Sequence, residues 1–319
     1  MPKAKSVNFA DKLIEAISTK HSRVVVGLDP RLHSIPSFLI KNYTEKFGQT
    51  PNAVARAFLE FNKKIIDAVA DHVIAVKPQI AFYEQYGDKG IWSYFETIKY
   101  ARNKGLLVIA DVKRNDIGST ADAYAKAYLG RVDVGYNKTR PMFDADAMTV
   151  NPYLGIDGVK PFVDVARMYG KGIFILVRTS NPSAEELQGL SLTEGLHIFE
   201  KVALMVNQWG EDSEGENGYR SIGAVVGATY PIEAGKLRTL MPNCFFLVPG
   251  FGAQGAEAND VRPCFNKDGY GAIVNSSRGI IYAFSSEPEK SRYTPEEFAL
   301  AAMSAANRTK EEIEGVLNN

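Results

Sequence analysis

The stretch Leu106-Leu107-Val108-Ile109-Ala110-Asp111-Val112-Lys113-Arg114-Asn115-Asp116-Ile117-Gly118-Ser119-Thr120 decides how the chain is read. Its first five residues form an unbroken apolar run, the mark of a parallel strand covered on both faces. Asp111 and Lys113 follow, two apart, so on a strand they point to one face. Asp116 comes just past the strand, ahead of a helical segment. Charges turned into a buried sheet are costly unless they pair or do chemistry. Two readings stand at this point: a structural ion pair with Asp116 as a helix N-cap, or a reactive array.

Outward from this stretch the same pattern repeats. Short apolar, β-branched runs are expected as strands at Arg23–Leu28, Val73–Val76, Ala147–Val150, Ile173–Val177, Ile222–Val226, Phe245–Val248 and Gly271–Val274. Helical spacing marks Phe9–Thr19, Val54–Val69, Ile91–Asn103, Ser119–Leu129, Asp157–Tyr169, Leu192–Trp209, Ile232–Leu240 and Phe298–Val316. Gly105 sits where a glycine stop belongs. Alternating strands and helices imply a parallel sheet with helices outside. Eight such units favour a (β/α)8 barrel over an open doubly wound sheet. No linker divides the chain, so residues 1–319 are expected as a single domain with insertions near 31–50, read as irregular from Pro36, Gly48 and Pro51, near 130–146, read as a polar loop, and near 183–220.

The bulk properties exclude several classes. The chain has 319 residues, 45% hydrophobic and 23% charged, with 37 basic and 37 acidic side chains. That balance gives no support to a nucleic-acid or membrane-surface partner. No apolar run approaches the length of a membrane span, and the basic N-terminus lacks the apolar core of a signal peptide. Cys244 and Cys264 resemble neither a disulfide framework nor a metal knuckle. A cytoplasmic location is expected. The four histidines are scattered without ligand spacing, and there is no Ser-His-Asp set, so zinc and covalent chemistry have little support.

In a barrel the strand C-termini ring one mouth, where chemistry sits. The expected strand ends supply Asp29, Lys77, Asp111 with Lys113 and Asp116, then Thr179-Ser180, Pro249 with the glycine run, and Asn275 through Arg278. Alternating charges at close quarters would hold each lysine protonated and each aspartate ionised. Gly250, Gly252 and Gly255 fit G-x-G-x-x-G, but late in the chain and without an acidic residue about 20 positions on. The positional reading is stronger: loops after the last two strands form a common phosphate site, where glycines admit backbone N–H groups and Arg278 adds a bidentate grip.

Asp111-x-Lys113-x-x-Asp116-Ile117 resembles the signature of orotidine 5′-phosphate decarboxylases. So do Gly27-Leu28-Asp29-Pro30-Arg31, Lys77-Pro78-Gln79, Val150-Asn151-Pro152-Tyr153-Leu154-Gly155, Arg178-Thr179-Ser180-Asn181-Pro182, the run Pro249 to Gly255, and Ser277-Arg278-Gly279. The Asn-Pro-Tyr-Leu-Gly and Arg-Thr-Ser-Asn-Pro runs resemble the larger, type 2 subgroup. The resemblance implies a (β/α)8 homodimer that converts orotidine 5′-monophosphate to uridine 5′-monophosphate, the last step of de novo pyrimidine synthesis, without metal or cofactor. It implies Lys113 as proton donor to C6, and Asp111 facing the departing carboxylate. Asp116, with Thr120 beside it, would reach the partner's site. Asp29 and Lys77 would bind ribose hydroxyls and Ser180 the pyrimidine. Gln254 and Arg278, next to Pro249, would hold the phosphate.

Two alternatives remain open on the sequence. A metal-dependent sugar-phosphate decarboxylase or aldolase shares D-x-K-x-x-D and needs a further acidic ligand after the second strand, where Glu84 lies. A non-catalytic phosphate-binding barrel would bind nucleotide without turnover.

Overall fold

The computed structural model describes residues 7–252 and 255–318. Eight parallel strands, β1 to β8, close into a barrel in which each lies beside its neighbour in the chain. They are Val24–Leu28, Ala75–Pro78, Leu107–Arg114, Ala147–Val150, Gly172–Arg178, Arg220–Val226, Cys244–Val248 and Ala272–Ser276. This is the (β/α)8 class that the apolar runs predict. Burial explains their composition: β1, β4, β7 and β8 are buried at every position. Among the described residues no helix is long and apolar enough to cross a membrane.

The chain forms two compact units. One holds the N-terminal segment up to Thr19 with Lys113–Val274, and the other holds Lys20–Val112 with the segment from Asn275 onward. In the first, parallel pairing runs from β4 through β5, β6 and β7 to β8. The helix Phe9–Lys20 sets Phe9 edge-on to Phe174 of β5, with ring centroids 6.0 Å apart. In the second, β1 pairs with β2 and β2 with β3. Its apolar packing includes Phe61 stacked on Phe298 at 5.1 Å, which joins the helices Pro51–Val69 and Phe298–Leu317.

Three expected elements are corrected. Residues 31–50 are not irregular throughout, because a helix spans Ser37–Phe47. The polar loop at 130–146 carries a two-stranded antiparallel ribbon, Val132–Asp133 with Thr139–Arg140. The helix expected from Leu192 begins at Ile198, where His197 and Glu200 form a capping box. Gly195 ahead of it takes φ +83°, so the chain turns there instead of continuing a helix.

Candidate active site

Within the unit formed by Lys20–Val112 and the C-terminal segment, Lys77 and Asp111 meet. Lys77 Nζ donates to Asp111 Oδ2 at 2.5 Å, and both side chains are 7% exposed. Parallel pairing sets Gly27 opposite Lys77 across β1 and β2. Burial alone would lower the Lys77 pKa. The carboxylates of Asp111 and Asp29 outweigh it and hold the ammonium above its usual range. The cation is therefore fixed as a cation between two acids.

Asp29 follows β1 directly. Its backbone carbonyl accepts from the Tyr282 hydroxyl at 3.0 Å, and that hydroxyl accepts from the Arg31 N–H at 2.7 Å. One carboxylate oxygen of Asp29, Oδ1, is buried and accepts no hydrogen bond among the described residues. Such an oxygen is a ready acceptor for a ligand hydroxyl. Asn275, at the end of β8, likewise has a buried Oδ1 without a donor among the described residues. Gly27 lies so close to Ser277 that a Cβ there would overlap its hydroxyl. Arg278 opens the short helical turn Arg278–Ile281 and is exposed.

Within the other unit, the backbone at Lys113 departs from a regular strand. Its φ is +43°, in the left-handed region that side chains with a Cβ rarely adopt. The expectation of a regular strand through Lys113 is therefore corrected; Asp111 is buried and Lys113 is exposed. The Lys113 N–H donates to Thr149 Oγ1 at 2.9 Å, which ties the twisted backbone to buried Thr149 of β4. Asp116 does not cap the following helix, Gly118–Tyr128, because Ile117 holds the N-cap position. The Asp116 carboxylate instead accepts the Ile117 N–H at 2.8 Å. Thr120 is exposed in the first turn of that helix.

Ser180 is half-buried just past β5. Gly227, after β6, comes so near that a Cβ would lie 2.9 Å from the Ser180 N, Cα and Cβ atoms. After β7, the Pro249 carbonyl accepts from Ala228 N at 2.9 Å. Gly250, Gly252 and Gly255 take φ of 105°, 68° and 88°, and Gly255 N donates to Gly252 O at 2.8 Å. Gln254 lies outside the described residues.

Sequence reasoning missed Thr149, whose only signal is a hydroxyl inside the apolar run Ala147–Val150. It also left Arg178, Gln188 and Glu233 without a role. Glu84, the acid that a metal-dependent reading needs, is exposed on the short turn Ala81–Glu84. Among the described residues no three His, Cys, Asp or Glu side chains gather as a metal-holding group.

The pattern of the orotidine 5′-phosphate decarboxylase / HUMPS family matches residues 22–293. The chain belongs to that family. A relative named orotidine 5′-phosphate decarboxylase, from Caldicellulosiruptor bescii, is 42% identical over 312 residues, covering 98% of this chain and all of the relative. A protein of the same name from Rhodopirellula baltica is 47% identical over 296 residues, covering 93% of this chain and 92% of its own. Among solved structures, a putative orotidine 5′-phosphate decarboxylase from Streptomyces avermitilis superposes with a TM-score of 0.77. It is 31% identical, with 100% of this chain and 99% of that one covered.

Proposed function

We infer that Lys113 is the acid that delivers the proton to C6 as orotidine 5′-monophosphate loses carbon dioxide to give uridine 5′-monophosphate. The decarboxylation itself accords with the family match and with relatives of that name spanning nearly the whole chain. The observation that carries the residue assignment is the pairing of buried Asp111 with Lys77, two positions before an exposed lysine in a left-handed backbone.

Loss of carbon dioxide leaves electron density at C6 that the pyrimidine ring delocalises poorly. An ammonium set at that carbon stabilises the developing carbanion and then supplies its proton. Asp111 would face the departing carboxylate. Because Lys77 holds Asp111 in place, that carboxyl group would already be positioned before substrate arrives. The unsatisfied Oδ1 of Asp29 suits a ribose hydroxyl, as does the Lys77 ammonium beside it. Ser180 would meet the pyrimidine. Arg278, Gln254 and the glycine segment after Pro249 would take the phosphate, whose remote binding energy can orient the ring.

The same proposal covers assembly. The chain would act as one barrel domain, in a cytoplasmic homodimer, with Asp116 and Thr120 reaching the second copy's site. Ile117, Tyr153, Leu154 and Ile156 are exposed apolar residues in the segments after β3 and β4, Tyr153 to 75%. A cluster of that kind is what a subunit contact covers.

The test is turnover, read as loss of orotidine 5′-monophosphate absorbance. Lys113→Ala is expected to lose about 4 kcal/mol or more of transition-state stabilisation. Near-normal turnover by that variant would sink the assignment. Full activity in a chelator is expected, and a chelator-sensitive enzyme would point to the metal-dependent branch. Mixing Lys113→Ala with Asp116→Asn subunits should restore activity, since one hybrid site is then intact. No recovery after verified subunit exchange would remove the cross-subunit role.

A further inference from the structure

Arg178, the last residue of β5, is fully buried and is among the largest side chains with that degree of burial. Its Nε donates to Glu233 Oε2 at 2.5 Å, and its Nη2 donates to Glu185. The guanidinium also lies over the Tyr230 ring at 3.9 Å. Glu185 belongs to the 3-10 turn Pro182–Glu186, at the start of the insertion that follows β5. Glu233 lies in the first turn of the helix Pro231–Leu240, after β6.

A second side chain from the same insertion grips the next residue. Gln188 Oε1 accepts the Thr179 N–H at 2.9 Å, and Gln188 Nε2 donates to Thr179 Oγ1 at 2.8 Å. Thr179 Oγ1 donates onward to Asn181 Oδ1 at 2.6 Å. The two residues before Ser180 and the one after it are thus all engaged by polar contacts. From the far side, Gly227 packs against the Ser180 backbone, and Thr229 Oγ1 donates to Ser180 O at 3.4 Å.

Stability alone does not account for this arrangement. A buried arginine between two carboxylates contributes little net stability compared with apolar packing of similar volume. What it does supply is fixed direction, because the guanidinium fork and the two-point Gln188 contact each allow one geometry. Both act on the tripeptide that carries Ser180.

We infer that residues 182–190 are a buttress that positions Ser180 against the pyrimidine ring, with Arg178, Glu185 and Gln188 as its positioning residues. This rests on the reading that Ser180 meets the pyrimidine. The start of the insertion after β5 then holds a recognition residue by its neighbours. A displacement of about 1 Å at such a residue can lower turnover by up to about a hundredfold.

The experiment uses the full chain as purified and four variants: Gln188→Leu, Gln188→Glu, Ser180→Ala and the double variant Ser180→Ala/Gln188→Leu. Kinetics on orotidine 5′-monophosphate are combined with binding of uridine 5′-monophosphate and of ribose 5-phosphate, which lacks the ring. Gln188→Leu is expected to lower kcat/KM about tenfold or more and to weaken uridine 5′-monophosphate while leaving ribose 5-phosphate unchanged. Gln188→Glu, which keeps an acceptor for the Thr179 N–H, should recover part of the loss. The double variant should be no worse than Ser180→Ala, since residues acting as a unit are not additive.

Equal weakening of both ligands, or additive losses in the double variant, would show a merely structural role and overturn the inference. So would wild-type kinetics in Gln188→Leu beside an impaired Ser180→Ala, which leaves the pyrimidine contact standing and removes the buttress alone. Wild-type kinetics in Ser180→Ala would overturn both. Should Gln188→Leu fail to fold, Glu185→Gln carries the same ligand comparison, because Glu185 is largely exposed.

Discussion

Replacing Lys77 by methionine separates the two readings that Asp111 allows, a structural ion pair or part of a reactive array. The partners are 2.5 Å apart and each side chain is 7% exposed. Removing the ammonium leaves the Asp111 carboxylate buried, with the field of Asp29 no longer offset. Breaking a buried pair by removing one partner costs about 3–5 kcal/mol. For a protein of this size that is roughly 4–7 °C in Tm. Removing both charges, as Lys77→Met/Asp111→Leu, eliminates the uncompensated charge and should recover most of the loss.

Urea unfolding followed by circular dichroism measures the stabilities, and absorbance loss measures turnover. The double variant is expected to be near wild type in stability and inactive. If Lys77→Met costs under about 1 kcal/mol, the two charges are not a buried, mutually dependent unit. If the double variant keeps its activity, the pair is structural. The pH dependence has a definite sign. The folded Lys77 pKa is raised above its usual 10.5. Its stabilising contribution is therefore complete below pH 10.5 and is lost as pH rises through the folded value. The stability gap between wild type and Lys77→Met should stay flat from pH 7 to about 10 and narrow only beyond it.

Thr149→Val removes the acceptor for the Lys113 N–H at nearly constant volume. It should cost about 1–3 kcal/mol, read as a drop in kcat with folding retained; unchanged kcat would mean Lys113 is held by other contacts. Gly27→Ala forces Ser277 aside, at about 1–3 kcal/mol of stability, and should raise KM by shifting the segment that carries Arg278. An unaltered KM would detach Gly27 from the proposed phosphate end. Burial pushes the Cys244 thiol up to about 11 and the Cys264 thiol up to about 12. Above pH 9 the unfolded chain then releases protons that the folded chain keeps, so stability falls as pH rises. Cys264→Ala should reduce that fall by about 1.4 kcal/mol per pH unit; an identical slope in urea titrations from pH 9 to 11 would contradict it.

The barrel was legible because its strands are short apolar runs at regular intervals, a signal that burial on both faces enforces. The helix Ser37–Phe47 was not, since Phe38, Leu39 and Ile40 are consecutive and show no helical period. Pro36, Gly48 and Pro51, which suggest a loop, turn out to be helix punctuation: Pro36 and Gly48 hold the two caps, and Pro51 opens the next helix. At the site, residue types at strand ends were readable but partners were not. Asp111 pairs with Lys77 across 34 positions, and Arg178 with Glu233 across 55. Such contacts depend on which strands become neighbours, which local spacing does not encode. The left-handed turn at Lys113 was hidden for a related reason. Nothing in Asp-Val-Lys-Arg marks it, because a tertiary contact to Thr149 holds it in place.

That turn also bears on how the protein tolerates redesign. Left-handed backbone disfavours a lysine by about 1–2 kcal/mol and accepts glycine or asparagine readily. A search for stabilising substitutions guided by backbone geometry would therefore favour Lys113→Gly, and the variant it recommends would lack the amine. On the role proposed for Lys113, position 113 is a place where the preference of the main chain and the demand of the reaction point to different amino acids. Selection for thermal tolerance without selection for turnover is expected to abandon this lysine early.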